Sequence, residues 1–233
     1  MRPCAPSAVA LAACSLGLAC TPDPAPPDRA PAGSPTGSDV TLVCSSSTSG
    51  AAGGPSSHYP AGPYGQTVGS VLADECFEGL VDPPSVAFAT VDRTTAICFH
   101  DFYNPGATDA ARPKVLVVML GALWCGPCQI EAAAARKNHD HWAPLGVQFL
   151  ASVYQNVNAD PPTCTDLEYW TKTYALDYPS VLDPTAKLGK YFTTGAFPDN
   201  IVIDTRTMTI LYADAGQVDF GPGNTTLATA VGM

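Results

Sequence analysis

"KVLVVMLGALWCGPCQIEA", residues 114–132, is the stretch whose reading decides the fold. Residues 114–122 are a continuous apolar run, the pattern of a strand buried on both faces of a sheet. Pro127 then sits where a helix can open, in its first turn. The residues after it, "CQIEAAAARKNHDHW", are strong helix formers with basic residues late in the segment, and Pro144 and Gly146 end it. Cys125 and Cys128 therefore stand at a strand-to-helix junction. Unpaired backbone N–H groups and the helix dipole favour negative charge there, so a thiolate is stabilised. Cys125 lies just before the first turn, where its sulfur can be exposed. Cys128 lies one turn in and is expected to be more buried. This assigns Cys125 as nucleophile and Cys128 as resolving thiol.

Outward from this motif, the later chain alternates strand and helix. "VQFLASVY" (147–154) reads as another buried strand, and "TDLEYWTKTYA" (165–175) as a helix with Leu167, Trp170 and Tyr174 on one face. "SVLDP" (180–184) is a brief extended piece and "TAKLGKYF" a short helix. "NIVID" and "TILYADAG" read as two antiparallel strands, and "NTTLATAVGM" as a short final helix. Upstream, "VAFATV" (86–91) and "TAICFHDF" (95–102) carry β-formers in alternation and suggest two strands. The order β-α-β-α-β-β-α behind an N-terminal hairpin indicates an α/β fold, a central mixed sheet flanked by helices.

The N-terminal quarter has a different texture. Arg2 and the apolar run Ala8 to Ala19 read as an export signal over residues 1–20, too short for a bilayer span of about 20 residues. Leu11-Ala12-Ala13-Cys14 matches a lipobox well and Gly17-Leu18-Ala19-Cys20 less well. Cys20 is favoured as the lipidated residue because it directly precedes the linker; a plain secretory signal is the alternative. Residues 21–63 are a Pro/Gly/Ser-rich tether that cannot bury enough apolar surface to offset its ordering entropy. The domain is expected to span residues 64–233.

Of nine cysteines, six remain beyond a signal ending at Cys20: Cys44, Cys76, Cys98, Cys125, Cys128 and Cys164. An exported chain permits disulfides. With Cys125 and Cys128 paired, the other four allow three connectivities. Acids outnumber bases 21 to 11, and the net charge of −10 argues against nucleic acid and anionic membrane surfaces as electrostatic partners.

A lone CxxC is weak, but a strand, then WCGPC, then a helix is specific, and here the chain resembles the thioredoxin superfamily. "KVLVVMLGALWCGPCQIEA" resembles the corresponding segment of the exported, often membrane-tethered TlpA/ResA-like thiol–disulfide oxidoreductases, the redoxin-domain lipoproteins. "YGQTVGSVLADECFEG" and "TAICFHDF" resemble their N-terminal hairpin extension; "YWTKTYALDYPSVLDPTAKLGKYF" and "GAFPDNIVID" resemble their later half. The resemblance covers about residues 64–233 and implies a thioredoxin-like fold that exchanges disulfides with disulfide-bearing or dithiol exported proteins. It implies an unidentified redox partner, no bound cofactor, and a membrane-anchored lipoprotein facing the periplasm or cell envelope.

The resemblance also implies site residues. Pro198 matches the family's cis-proline opposite the dithiol, and Phe197 with it would dock an extended substrate. Glu131, three residues after Cys128, could accept its proton; a solvated helix acid is the competing reading. Trp124 would line the substrate surface or merely pack. Cys76 and Cys98 fall on the proposed hairpin strands and could pair. The chain departs from thioredoxin at Met119, where a buried aspartate is usual, and at Asp199, where a small or hydroxyl residue usually follows the cis-proline. Ala122 stands where peroxiredoxins need threonine, which argues against peroxidase chemistry. His139 and His141 are expected as exposed helix histidines, and no metal site is expected. Two rival classes stay open: a binding or scaffold module with a structural CxxC disulfide, and a metal-handling protein.

Overall fold

Val115, Val117 and Met119 face one apolar layer and Leu116, Val118 and Leu120 the other, so the run at 115–122 is buried on both sides. This strand, β3 (Val115–Ala122), is the third from one edge of a seven-stranded sheet. The computed structural model describes residues 59–83 and 94–233. The other strands are β1 (Cys76–Leu80), β2 (Thr95–Cys98), β4 (Val147–Gln155), β5 (Ser180–Leu182), β6 (Asp199–Asp204) and β7 (Thr209–Ala215). Their spatial order is β2-β1-β5-β4-β3-β6-β7. β3, β4 and β5 run parallel to one another, whereas β6 joins β3, β7 joins β6, and the β1–β2 hairpin joins β5 antiparallel. This is the mixed sheet with a hairpin extension that the resemblance implied.

The helices are α1 (Phe99–Phe102), α2 (Gly126–Trp142), α3 (Cys164–Thr173) and α4 (Thr225–Val231). Each longer element has a visible start. Cys125 caps α2. At α3 the Asp166 carboxylate accepts the Thr163 N–H at 2.7 Å, and at α4 Asn224 accepts the Leu227 N–H at 2.9 Å. Such caps satisfy donors the helix itself leaves unpaired. One apolar layer holds Trp142, Phe149, Leu167, Trp170, Phe220 and Leu227. The Trp142 indole within it donates to the Phe220 carbonyl at 2.7 Å, tying the end of α2 to the C-terminal segment. The opposite layer holds Phe77, Ile97, Phe99, Leu150, Ile201 and Met208.

Three expectations change. The strand expected over 95–102 ends at Cys98, and Phe99–Phe102 make one helical turn. The Asp101 carboxylate takes the Cys98 N–H at 2.7 Å and Asp74 takes the His100 N–H at 3.1 Å, so side chains replace ladder partners. The helix expected over "TAKLGKYF" is a single 3₁₀ turn, Leu188–Tyr191. The Asp183 carboxylate fixes its entry by accepting the N–H groups of Lys187 and Leu188 at 2.8 and 2.9 Å. His139 is not an exposed helix histidine. It is 8% exposed, between Phe149 and Tyr178, and faces Asp177 at 3.4 Å. His141 is exposed as expected.

Cys76 and Cys98 sit directly opposite in the β1–β2 register and form a disulfide. Cys164 is also disulfide-bonded. Tyr59, on the linker side of the expected boundary, is buried and donates its hydroxyl to the Leu72 carbonyl at 3.0 Å. The export signal, Cys14, Cys20, Cys44, most of the tether and the strand expected at 86–91 lie outside the described residues.

Candidate functional site

β3 ends at Ala122, and a turn of Leu123 and Trp124 delivers the chain into α2. The turn is held by backbone bonds from Leu123 N–H to the Gln155 carbonyl at 2.9 Å and from Cys125 N–H to the Ala122 carbonyl at 3.1 Å. Cys125 is the N-cap of a 17-residue helix, and its sulfur accepts the Cys128 N–H at 3.2 Å. A sulfur so placed lies at the positive end of the helix, which favours its thiolate once the disulfide is opened.

Cys125 and Cys128 are joined by a disulfide of 2.03 Å. Both are nearly inaccessible in this state, 3% and 2% exposed, so the expected difference in exposure is absent from the disulfide form. What distinguishes them is position: Cys125 occupies the cap, and Cys128 faces inward against Gly121. A Cβ at residue 121 would lie 3.2 Å from the Cys128 Cβ and 3.6 Å from its sulfur, so glycine there leaves the room that Cys128 uses.

Three further expected residues gather around the pair. The Phe197–Pro198 peptide bond is cis, and the Pro198 carbonyl accepts the Gly216 N–H at 2.7 Å. Phe197 stacks on Tyr154 with ring centroids 5.4 Å apart and meets the edge of Trp124 at 6.1 Å. Trp124 is 47% exposed, and its indole donates to the Gln155 side chain at 3.0 Å. The result is an aromatic shelf with one exposed face beside the disulfide. Sequence reasoning did not anticipate Tyr154 and Gln155; their place at the end of β4, level with the end of β3, was the available signal.

Glu131 is not a solvated helix acid. It is 5% exposed, and Oε1 accepts hydrogen bonds from the Asn200 side chain at 3.0 Å and the Val218 N–H at 2.9 Å. Burial pushes its carboxyl up to about 7, and the two hydrogen bonds only partly offset that. It lines a small cavity together with Cys128, Met119 and Pro198. Asn200 was missed from sequence, although a polar residue opening an otherwise apolar strand is a usable sign. Asp199, read only as a departure, is 3% exposed, and its carboxyl is pushed up to about 7 by burial and by the nearby Asp214 and Glu131.

Among the described residues the one cluster of metal-ligand types is Cys76, Cys98 and His100. Its two sulfurs are bonded to each other, so it offers no thiolates in this state. No helix among the described residues is long and apolar enough to cross a membrane. The arrangement as a whole can carry a two-electron thiol–disulfide exchange with a buried acid alongside.

Residues 102–212 match the model of the AhpC/TSA family. Among solved structures, the chain is similar to one described as a thiol:disulfide interchange protein DsbE from Chlorobium tepidum, with 16% identity and a TM-score of 0.53. That match covers 71% of this chain and 98% of the other. It is also similar to a secreted thiol-disulfide isomerase from Corynebacterium glutamicum, with 18% identity, a TM-score of 0.51, and coverage of 70% and 85%. These likenesses place the fold among thioredoxin-like folds. No curated protein matches the sequence.

Proposed function

We propose, from the match of residues 102–212 to the AhpC/TSA family model and from the thioredoxin-like fold, that the chain is an exported thiol–disulfide oxidoreductase that reduces disulfides of other exported proteins. The observation that carries this reading is the Cys125–Cys128 disulfide at the N-terminus of α2, with Cys128 lining one cavity together with the cis-proline Pro198. The Cys125 thiolate attacks a substrate sulfur, forms a mixed disulfide and expels the other substrate sulfur as a thiolate. Cys128, deprotonated towards Glu131, then attacks the Cys125 sulfur. The Cys125–Cys128 bond closes and the second substrate sulfur leaves as a thiol. Two electrons pass to the substrate, and an external thiol reductant restores the dithiol. Phe197, Pro198 and Trp124 form the docking surface for an extended substrate segment.

Export and anchoring rest on the signal pattern of residues 1–20, with Cys20 as the lipidated residue and residues 21–63 as tether to a domain beginning near residue 64. Disulfide-bonded Cys76, Cys98 and Cys164 suit an oxidising compartment. Mass spectrometry of the mature chain tests this: an unmodified N-terminus at Met1, or a chain beginning after Cys20, refutes it.

The low exposure of both sulfurs favours one rival, a scaffold with a structural disulfide. Turnover of a disulfide substrate with a thiol reductant separates the two. Cys125→Ser is expected to abolish turnover, and Cys128→Ser to accumulate a mixed disulfide on Cys125 visible on a non-reducing gel. Wild-type turnover by the Cys125→Ser protein would leave the scaffold reading standing.

A further inference from the structure

The cavity beside Cys128 has a volume of about 20 Å³ and is walled in part by Cys128, Glu131, Pro198 and Tyr178. That is room for about one water molecule. Tyr178 is 1% exposed, and its hydroxyl has no hydrogen-bond partner among the described residues. A buried phenol normally finds one. Its ring cannot swing the hydroxyl elsewhere, because it packs edge-on against Phe149 at 5.8 Å and against His139 at 5.0 Å. Elsewhere in the lining, both hydrogen bonds to Glu131 fall on Oε1. Tyr178 and Glu131 make no direct hydrogen bond, yet the Glu131 charge is one of the influences that raise the phenol's ionisation.

We propose that one buried water in this cavity joins the Tyr178 hydroxyl to Glu131 and Cys128, which makes Tyr178 a positioning residue for the proton that leaves Cys128. The inference rests on the dithiol reading above. In the resolving step the Cys128 S–H gives its proton to the water as the water gives one to the Glu131 carboxylate. The Cys128 thiolate then forms the bond to the Cys125 sulfur, the bond from Cys125 to the substrate breaks, and the departing substrate thiolate takes up a proton. The Tyr178 hydroxyl donates to the water and holds its lone pair towards Cys128. No electron or group is needed beyond those of the exchange itself.

The charges around Glu131 explain why a neutral donor matters. β6 contributes Asp199, and β7 contributes Tyr212 and Asp214. The segment before β5 brings Asp177 and Tyr178, while α2 itself carries Arg136 and His139, both turned to Asp177. No ion pair joins Glu131 to a cation among the described residues, so hydrogen-bond donors alone stabilise its carboxylate.

The test is a carboxyl ¹³C NMR titration of Glu131 in the full chain, with the disulfide reduced by a small dithiol and the signal assigned through Glu131→Gln. Tyr178→Phe keeps the ring and its packing and removes only the hydroxyl. The Glu131 midpoint is expected to rise by about half a unit or more in Tyr178→Phe, since losing a hydrogen bond to the charged form raises a carboxyl pKa. Decay of the mixed disulfide should slow several-fold, with the alkylation rate of Cys125 unchanged. An unchanged Glu131 midpoint overturns the link to Tyr178, and an unchanged decay rate overturns its role in proton release. If the wild-type protein turns over no disulfide substrate, the dithiol reading fails, and the NMR midpoint still decides the Tyr178 link on its own.

Discussion

Glu131 is the residue where competing effects are most evenly matched. Two hydrogen bonds to Oε1 favour the carboxylate, and burial at 5% exposure opposes it. Burial wins, and the group titrates near 7 instead of its ordinary 4.5. A general base works best when its pKa lies close to the operating pH. Glu131→Gln keeps an oxygen for Asn200 and Val218 but removes the titration. We expect it to slow the resolving step by about tenfold to a hundredfold, at or below the usual range for a lost proton acceptor, and to flatten its pH dependence around 7. Single-turnover decay of the mixed disulfide between pH 5 and 9 measures both. A profile that still rises through 7 in the variant would assign that titration to another group, with Asp199 the first candidate.

At the scale of elements, the β1–β2 hairpin is an addition to the sheet, docked on the edge of β5 and separated from β3 by β5 and β4. Its docking depends on Gly79, which pairs with Val181. A Cβ at that position would fall 2.3 Å from the Ser180 carbonyl oxygen and 2.9 Å from the Val181 Cα, both backbone atoms with no room to yield. Gly79→Ala should therefore push β1 off β5 and cost about 1–3 kcal/mol, the usual scale for overpacking. Urea unfolding should show a lower midpoint, while the alkylation rate of Cys125 in the reduced protein stays at the wild-type value. A loss of Cys125 reactivity along with stability would mean that the hairpin shapes the site as well as the sheet. α2 shows the converse coupling, where one element sets the chemistry: its N-terminus supplies the Cys128 N–H to the Cys125 sulfur.

Across the whole molecule, the buried acids tie stability to pH. The folded carboxyls of Glu131 and Asp199 titrate near 7, against ordinary values of 4.5 and 3.8. Between those limits the folded chain holds protons that the unfolded chain has released. Their contribution is fully present below about pH 4 and is lost as pH rises towards 7, so it falls by at most a few kcal/mol per group. His139, lowered by burial, acts the other way and favours the folded state as pH rises towards 6.5. The clean readout is a difference: between pH 5 and 8 the wild type should lose more stability than Glu131→Gln. Equal losses would mean that Glu131 ionises as readily folded as unfolded. The Cys76–Cys98 disulfide closes a loop with a sequence separation of 22. On loop-closure entropy its removal by paired Cys→Ala changes should cost about 3 kcal/mol, measured by the same urea titration.

What the sequence by itself determined is what local chemistry can encode. An apolar run, two cysteines around Gly126 and Pro127, and a string of helix formers suffice to specify a buried strand, a cap and a helix, and the structure has all three. The resemblance added the cis bond before Pro198, which composition does not reveal. Tertiary structure decided the rest, because burial and partnership are set by residues far along the chain. Glu131 is shielded by Asn200 and Val218, 69 and 87 positions away, so nothing near it in sequence announces an acid that titrates near 7. His139 lies on a helix face that reads as polar, yet Phe149 and Tyr178 enclose it once β4 and the segment before β5 pack against α2. The strand through Cys98 stops because Asp101 captures the N–H of Cys98 and Asp74 that of His100, a competition visible only when the side chains meet. Counting cysteines left three pairings open, and the register that sets Cys76 opposite Cys98 removed the ambiguity for that pair, since a disulfide forms only where the fold brings two sulfurs within bonding reach.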